Sequence, residues 1–321
     1  MQALEPRSTP ETPATATPAA AYLASLTTAV SRAGMESELR KIARIITADI
    51  EADWRSVDWG TLNAANVLAI MAKVDGAPAS RNKTRAALRG VARAAWRLGL
   101  MNSDELERIE DVKPARGSRE LAGRQVEGWE LAALMRHCAN DSTPAGARDG
   151  ALFAVAAKTG ARREELVRIA MRDITRTPDG FEIAVIGKGN KARTLYLDNG
   201  ASLALEDWLR VRGDAAGALF CAVHVSGRIN PAHTLTTTAA HLILQRRAAA
   251  AGIPAMNWHD LRRTFAGSLL DAGEDISTVS QLMGHASVTT TARYDRRPAE
   301  ARRRASRRIS VPYFERAVYQ H

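Results

Sequence analysis

The sequence of 321 residues has almost no cysteine: Cys138 and Cys221 stand alone. Without a Cys-x-x-Cys pair or a His/Cys cluster, neither a zinc site nor a disulfide framework is indicated, and a reducing cytoplasm fits. The chain also lacks an apolar run of the roughly 20 residues that span a bilayer core, and it carries no signal-type apolar segment, so no membrane partner is expected. Acidic residues are the minority charge, 35 Asp and Glu against 45 Lys and Arg, for a net charge of +10. Such a field favours a polyanion and makes nucleic acid the first candidate partner, although a merely basic soluble protein has the same balance. With 45% hydrophobic and 25% charged residues, the chain has ordinary globular composition and the length for two domains.

Residues 1–19, rich in Pro, Thr and Ala, have no apolar period and read as a disordered tail. From 20 to 110 the pattern is helical throughout, with segments expected at 22–31, 36–49, 63–74, 80–98 and 103–110. Leu39, Ile42, Ile45 and Ile46 form one apolar stripe, and Leu88, Val91 and Ala95 another. The remaining surface of the fourth helix carries Arg81, Lys83, Arg85, Arg89 and Arg93, which suit either phosphate contacts or a solvated face. An all-α domain follows in either case. Residues 111–125 lose apolar period and include Lys113, Arg116 and Arg119. They read as a basic linker that would let two domains close around a duplex, or simply as a soluble tether.

Beyond 126 the pattern is mixed, and a mainly α fold with a small antiparallel β-sheet is expected over 126–321. Helical segments fall at 127–139, 144–158, 199–210 and 235–251. Strand-like segments 181–186 and 191–197 flank Gly187-Lys188-Gly189-Asn190, a hairpin whose tip carries Lys188. In Thr159-Gly160-Ala161-Arg162, Gly160 ends a helix and Arg162 lies in the first turn of the next. A cation there opposes the helix dipole, which a bound phosphate would reverse; the plainer reading is an Arg162–Glu165 pair at i, i+3.

The most informative stretch is 257–296, which holds His259, Arg262, His285 and Tyr294. Leu261, Phe265 and Leu269 define a buried helix face, leaving His259 and Arg262 together on another. A second helix is expected over 276–283, with Ile276, Val279 and Leu282 inward and Gly284 as its left-handed stop; Ser287 caps a third, from Val288 to about Arg296, with Tyr294 near its end. Arginines that hold phosphate oxygens, imidazoles that move protons and a phenol that attacks phosphorus make a set suited to phosphoryl transfer without metal or cofactor.

The order Thr-Gly-Ala-Arg with Glu165, Ile-Gly-Lys-Gly-Asn-Lys-Ala-Arg, His-Asp-Leu-Arg-Arg-Thr-Phe, Met-Gly-His and a tyrosine nine residues past that histidine resembles the tyrosine site-specific recombinases of the phage integrase family. Ala161 and Met283 depart from the usual residues only at packing positions. The resemblance implies that Arg162 and Arg262 hold the scissile phosphate, with Glu165 in support. It further implies that Lys188 protonates the leaving 5′ oxygen, His259 assists proton transfer at the tyrosine, His285 hydrogen-bonds the phosphate and Tyr294 is the nucleophile. The N-terminal helices look like the family's core-binding domain. The implied activity is cutting and rejoining of double-stranded DNA through a 3′-phosphotyrosyl bond, by a homotetramer on two sites, for integration, excision or resolution. A terminal helix from about Val311 would dock on a neighbouring protomer, and accessory proteins are conceivable. A type IB topoisomerase, or a silent DNA-binding protein of the same fold, remain the alternatives.

Overall fold

A computed structural model of the chain describes residues 17–117, 123–187, 191–285, 287–292 and 294, with positions 303, 306–307, 309–310 and 312 beyond them. Most of the basic segment 296–308 and of the terminal helix expected from Val311 therefore lies outside the described residues. Two compact units divide the chain, Met1–Glu120 and Leu121–His321.

In the first unit, helix α1 (Pro18–Ala24) starts inside the stretch read as tail. Thr17 accepts a hydrogen bond from the Ala20 amide, and Pro18 occupies a first-turn position where no amide hydrogen is needed. Residues 1–16 lie outside the described residues. Helix α2 (Ala29–Thr47) begins at the Thr28 cap, so the break between the first two helices falls at 25–28, and Gly34 lies within α2. Helices α3 (Ala64–Lys73), α4 (Pro78–Arg97) and α5 (Ser103–Asp111) complete the bundle. Its core joins Leu39 and Ile42 of α2, Val67 and Ile70 of α3, Leu88 and Val91 of α4, and Ile109 of α5 around Trp59. Trp59 sits in a short 3₁₀ turn that the apolar pattern does not reveal, and its indole N–H donates to the Trp54 carbonyl at 2.7 Å.

The second unit is built around α7 (Pro144–Thr159), where Leu152, Phe153 and Val155 are fully buried. Helices α6 (Gly128–Ala139), α9 (Asn199–Arg212), α10 (Thr237–Ala250) and α11 (Trp258–Asp271) belong to the same unit. Strands β1 (Ile174–Thr177), β2 (Gly180–Ile186) and β3 (Ala192–Leu197) form an antiparallel sheet in that order. Phe181, Ile183 and Val185 are buried while Glu182, Ala184 and Ile186 face outward, the alternation of a sheet covered on one side. Strands β4 (Cys221–Val223) and β5 (Ile229–Thr234) pair as a second, two-stranded sheet. The fold is thus mainly α with small antiparallel sheets, as expected. Three short helices position the site: α8 (Arg163–Leu166), α12 (Ile276–Met283) and α13 (Val288–Ala292).

Candidate active site

Gly160 ends α7 in the left-handed conformation, φ 58°, and a Cβ there would meet the Phe265 ring at 2.5 Å. Only glycine suits both demands. The turn that follows puts Arg162 at the cap of α8, where its amide donates to Glu165 Oε2 at 2.8 Å and its Nη1 to Oε1 at 2.9 Å. From β3, Arg193 reaches the same carboxylate, with Nη2 donating to Oε2 at 2.9 Å and Nη1 within 2.9 Å of Oε1. Burial alone would raise the Glu165 pKa, but the hydrogen bonds and charges of Arg193 and Arg162 outweigh it and hold the carboxyl below its usual range. A buried carboxylate thereby fixes two guanidinium groups.

The turn after α12 is held by three arginines. Arg193 Nε donates to the Leu282 carbonyl at 3.2 Å, Arg262 Nη2 to Met283 at 2.6 Å and Arg162 Nη2 to Gly284 at 3.0 Å. Arg262 also donates through Nη1 to the Gly160 carbonyl, which ties the end of α7 to the end of α12. Gly284, φ 61°, is the left-handed stop, and its Cα would bear a Cβ only 3.1 Å from Arg193 Cδ. A side chain here would force the Arg193 side chain to give by a few tenths of an ångström.

That turn delivers His285 to Arg262, whose Nη2 lies 2.9 Å from His285 Nε2. Because a guanidinium can only donate, Nε2 accepts and the ring proton resides on Nδ1, 2.7 Å from Thr291 Oγ1. Burial, then the charges of Arg262, Arg162 and Arg193, lower the His285 pKa to about 4. The imidazole is therefore neutral near pH 7. Arg262 is itself buried, and desolvation together with Arg162 lowers its pKa to about 10, which still leaves it charged. Tyr294 stacks on His285 with ring centroids 6.0 Å apart and an interplanar angle of 11°. Its ring also packs on the cluster of Ala266, Leu270, Val279 and Met283.

Four of the six expected catalytic side chains, Arg162, Arg262, His285 and Tyr294, are linked in this way. The face assignment in α11 differs from expectation: Arg262 is buried beside Ala266 and Leu270, Phe265 and Leu269 are only half-buried, and His259 is exposed in the first turn. Three residues of helix turn about 300°, so the pair diverges enough for one side chain to enter the core while the other stays in solvent. In α12, likewise, Val279 and Met283 are buried and Ile276 and Leu282 only half-buried. Lys188 lies outside the described residues. Among the described residues no group of three or more His, Cys, Asp or Glu could hold a metal ion.

The profile of the phage integrase family matches residues 124–300, more than half of the chain and every residue just described. The chain belongs to the phage integrase family. It is 32% identical to tyrosine recombinase XerC of Chromohalobacter salexigens, over 74% of this chain and 78% of that protein. It is also 32% identical to tyrosine recombinase XerC of Corynebacterium glutamicum, over 62% of each chain. Among solved structures, a lambda integrase tetramer bound to a Holliday junction shares the fold, with TM-score 0.62 and 15% identity over 85% of this chain and 74% of that one. The chain is thus a tyrosine recombinase, an enzyme of DNA strand transfer.

Arg193 and Thr291 are residues of this recombinase site to which sequence reasoning gave no role, although Arg193 closes the Ile-Gly-Lys-Gly-Asn-Lys-Ala-Arg motif. In the first unit, the candidate DNA contacts are partly engaged within the protein. Lys83 pairs with the buried Glu38 at 3.5 Å, Arg89 with Glu110 at 3.8 Å and Lys113 with Asp111 at 2.5 Å. Arg85 Nε donates to the Val112 carbonyl. Arg81 Nε is buried without a hydrogen-bond partner among the described residues, and Arg116 is exposed. Arg119 lies outside the described residues.

Proposed function

We propose that this recombinase cuts and rejoins DNA at specific sites with Tyr294 as nucleophile. The observation that carries the reading is the joining of Arg162, Arg262, His285 and Tyr294 from separated segments around one turn. The Tyr294 oxygen attacks phosphorus and the bond to the 5′ oxygen breaks, giving a 3′-phosphotyrosyl linkage and a 5′ hydroxyl. The phenol proton passes to His259, and Lys188 supplies the proton for the leaving oxygen. Since one phosphodiester is exchanged for another, neither ATP nor a metal is required. A 5′ hydroxyl from a second duplex reverses the step and joins strands in a new order.

Arg162 and Arg262 have further N–H donors beyond those engaged with carbonyls and Glu165, and these would hold the non-bridging oxygens. His285 would turn from acceptor to donor when a phosphate arrives, because the anion offsets the neighbouring cations that disfavour its proton. The N-terminal unit would bind DNA through the Arg81 and Arg116 surfaces. We further propose a homotetramer on two sites, with the segment from about Val311 docking on a neighbouring protomer, in a reducing cytoplasm.

A nicked duplex carrying a site defined by footprinting on DNA next to the coding sequence tests this. The nick lets the short 5′ product diffuse away and traps the covalent adduct. Wild-type protein should form it and Tyr294→Phe should not, while both bind the duplex alike. An adduct with the Phe variant would overturn the assignment of the nucleophile, and supercoil relaxation independent of site would favour a topoisomerase.

A further inference from the structure

We infer that Arg193 is a positioning residue for strand cleavage: from β3 it fixes, through Glu165 and the Leu282 carbonyl, the arginine and the histidine that meet the scissile phosphate. The inference rests on the proposed reading of the Tyr294 site and adds a residue to it.

The geometry is specific. Arg193 is nearly buried, its side chain 11% exposed, and its fork lies between two partners that each belong to a different part of the site. One is Glu165, which also holds Arg162 through main chain and side chain. The other is the first of three consecutive carbonyls that end α12 just before His285. Arg193 touches both, as Arg162 touches Glu165 and the Gly284 carbonyl. A Cβ at Gly284 would lie 3.1 Å from Arg193 Nη1 and 3.2 Å from Nε, so the turn leaves little room beside the guanidinium.

A stabilising salt bridge is an insufficient account. Glu165 already has Arg162, and a third, nearly buried guanidinium beside Arg162 and Arg262 adds like-charge repulsion in a region of low dielectric. Such an arrangement orients groups more than it stabilises the fold. Arg193 also has a distinct electrostatic consequence, since its charge contributes to depressing protonation of His285. The groups around that ring are Arg262 from α11, Arg162 and Glu165 at α8, Arg193 from β3, and Tyr294 and Thr291 after α12.

Two substitutions separate position from charge. Arg193→Gln removes the cation and the fork, whereas Arg193→Lys keeps the cation but cannot bridge Glu165 and Leu282 together. Both variants should bind the footprinted duplex within about threefold of wild type, because the Arg193 side chain is 11% exposed and spent on Glu165 and the Leu282 carbonyl. Cleavage of the nicked duplex should fall by about 10- to 100-fold in each, the scale expected when reacting groups are misplaced by about 1 Å. The His285 imidazole, followed by NMR in the free protein, should titrate higher in Arg193→Gln than in wild type and stay close to wild type in Arg193→Lys. Wild-type cleavage rates in both variants would overturn the inference. So would loss of cleavage matched by loss of cooperative unfolding, or full rescue by lysine, since the first makes Arg193 a fold residue and the second a mere charge. If wild-type protein itself forms no adduct, the Tyr294 reading fails instead, while the titration still reports whether Arg193 acts on His285.

Discussion

Replacing Glu165 by glutamine keeps the size of the side chain and removes its charge, which isolates the electrostatic role of the carboxylate. In the wild-type protein Glu165 is buried and accepts from the Arg162 amide, Arg162 Nη1 and Arg193 Nη2, all within 2.9 Å. The variant loses the countercharge for two arginines, and one of its amide atoms becomes a donor facing guanidinium N–H groups. Breaking a buried ion pair by removing one partner costs about 3–5 kcal/mol. The partners here keep other acceptors, the Gly284 and Leu282 carbonyls, so the low end, about 3 kcal/mol, is the better expectation. For a unit of this size, Leu121–His321, that corresponds to a Tm lower by about 6–12 °C. The pH dependence is the sharper test. Glu165 has a folded pKa below its unfolded value near 4.5. Its contribution is therefore fully present above pH 4.5 and is lost as pH falls through the lower folded value. The stability gap between wild type and Glu165→Gln should be constant from pH 7 to about 5 and shrink at lower pH, where wild-type Glu165 becomes a neutral acid resembling the amide. Urea unfolding followed by tryptophan fluorescence at pH 7 and at pH 3 measures it. Protonation of His285 occurs in both proteins and largely cancels in the difference. A gap that stays the same down to pH 3 would show that packing, not charge, accounts for the loss, and would refute the argument.

Arg262→Ala should lower the rate of adduct formation by several orders of magnitude, whereas EDTA should leave the wild-type rate unchanged, because guanidinium groups supply the charge stabilisation; a rate that collapses in EDTA would contradict this. Gly160→Ala places a Cβ 2.5 Å from the Phe265 ring at a residue with φ 58° and should destabilise the protein by about 2–4 kcal/mol, read as a lowered Tm. For DNA binding, Arg81→Gln or Arg116→Gln should weaken affinity similarly for all sequences and reduce the salt slope by about 1 each. Lys83→Gln should do less, since Glu38 already engages that ammonium.

Local signals carried most of the helices and the central hairpin. Gly160 and Gly284, both in the left-handed region, ended helices where the sequence placed the ends, and Phe181 to Ile186 alternated as a half-buried strand must. Strand β1 escaped notice, although Pro178-Asp179-Gly180 is a turn signal that a closer reading of Thr175 to Phe181 would have used. The first helix break, expected between 31 and 36, falls at 25–28, because a helix accepts an interior glycine such as Gly34 for about 1 kcal/mol while a threonine cap at Thr28 defines a start. Motif order brought Arg162, Arg262, His285 and Tyr294 into one site before any coordinate did. What no spacing rule could supply was the buried position of Arg262 or the role of Arg193. Both depend on which carbonyls and carboxylates a tertiary fold places within reach, as does the chain from Arg148 through Asp149 and Arg247 to Asp141 that ties α7 to α10.

The charge inventory of the site bears on why such an arrangement would accelerate phosphoryl transfer instead of merely binding DNA. Arg162, Arg193 and Arg262 contribute three positive charges, Glu165 removes one, and His285, with its pKa near 4, adds none at neutral pH. Two positive charges thus remain among the described residues, before Lys188 is counted, partly shielded from water and aimed by carbonyls at fixed positions. A phosphodiester brings one negative charge in the ground state. When a deprotonated tyrosine attacks it, the pentacoordinate transition state carries about two. These cations would exceed the charge of the substrate and gain more from the second negative charge of the transition state, which is the condition under which electrostatics raises a rate and not only an affinity. Removing one arginine therefore weakens the transition state more than the bound duplex, so cleavage should fall further than DNA affinity in both Arg162→Ala and Arg262→Ala. Equal losses in the two quantities would mean that the cradle serves binding alone.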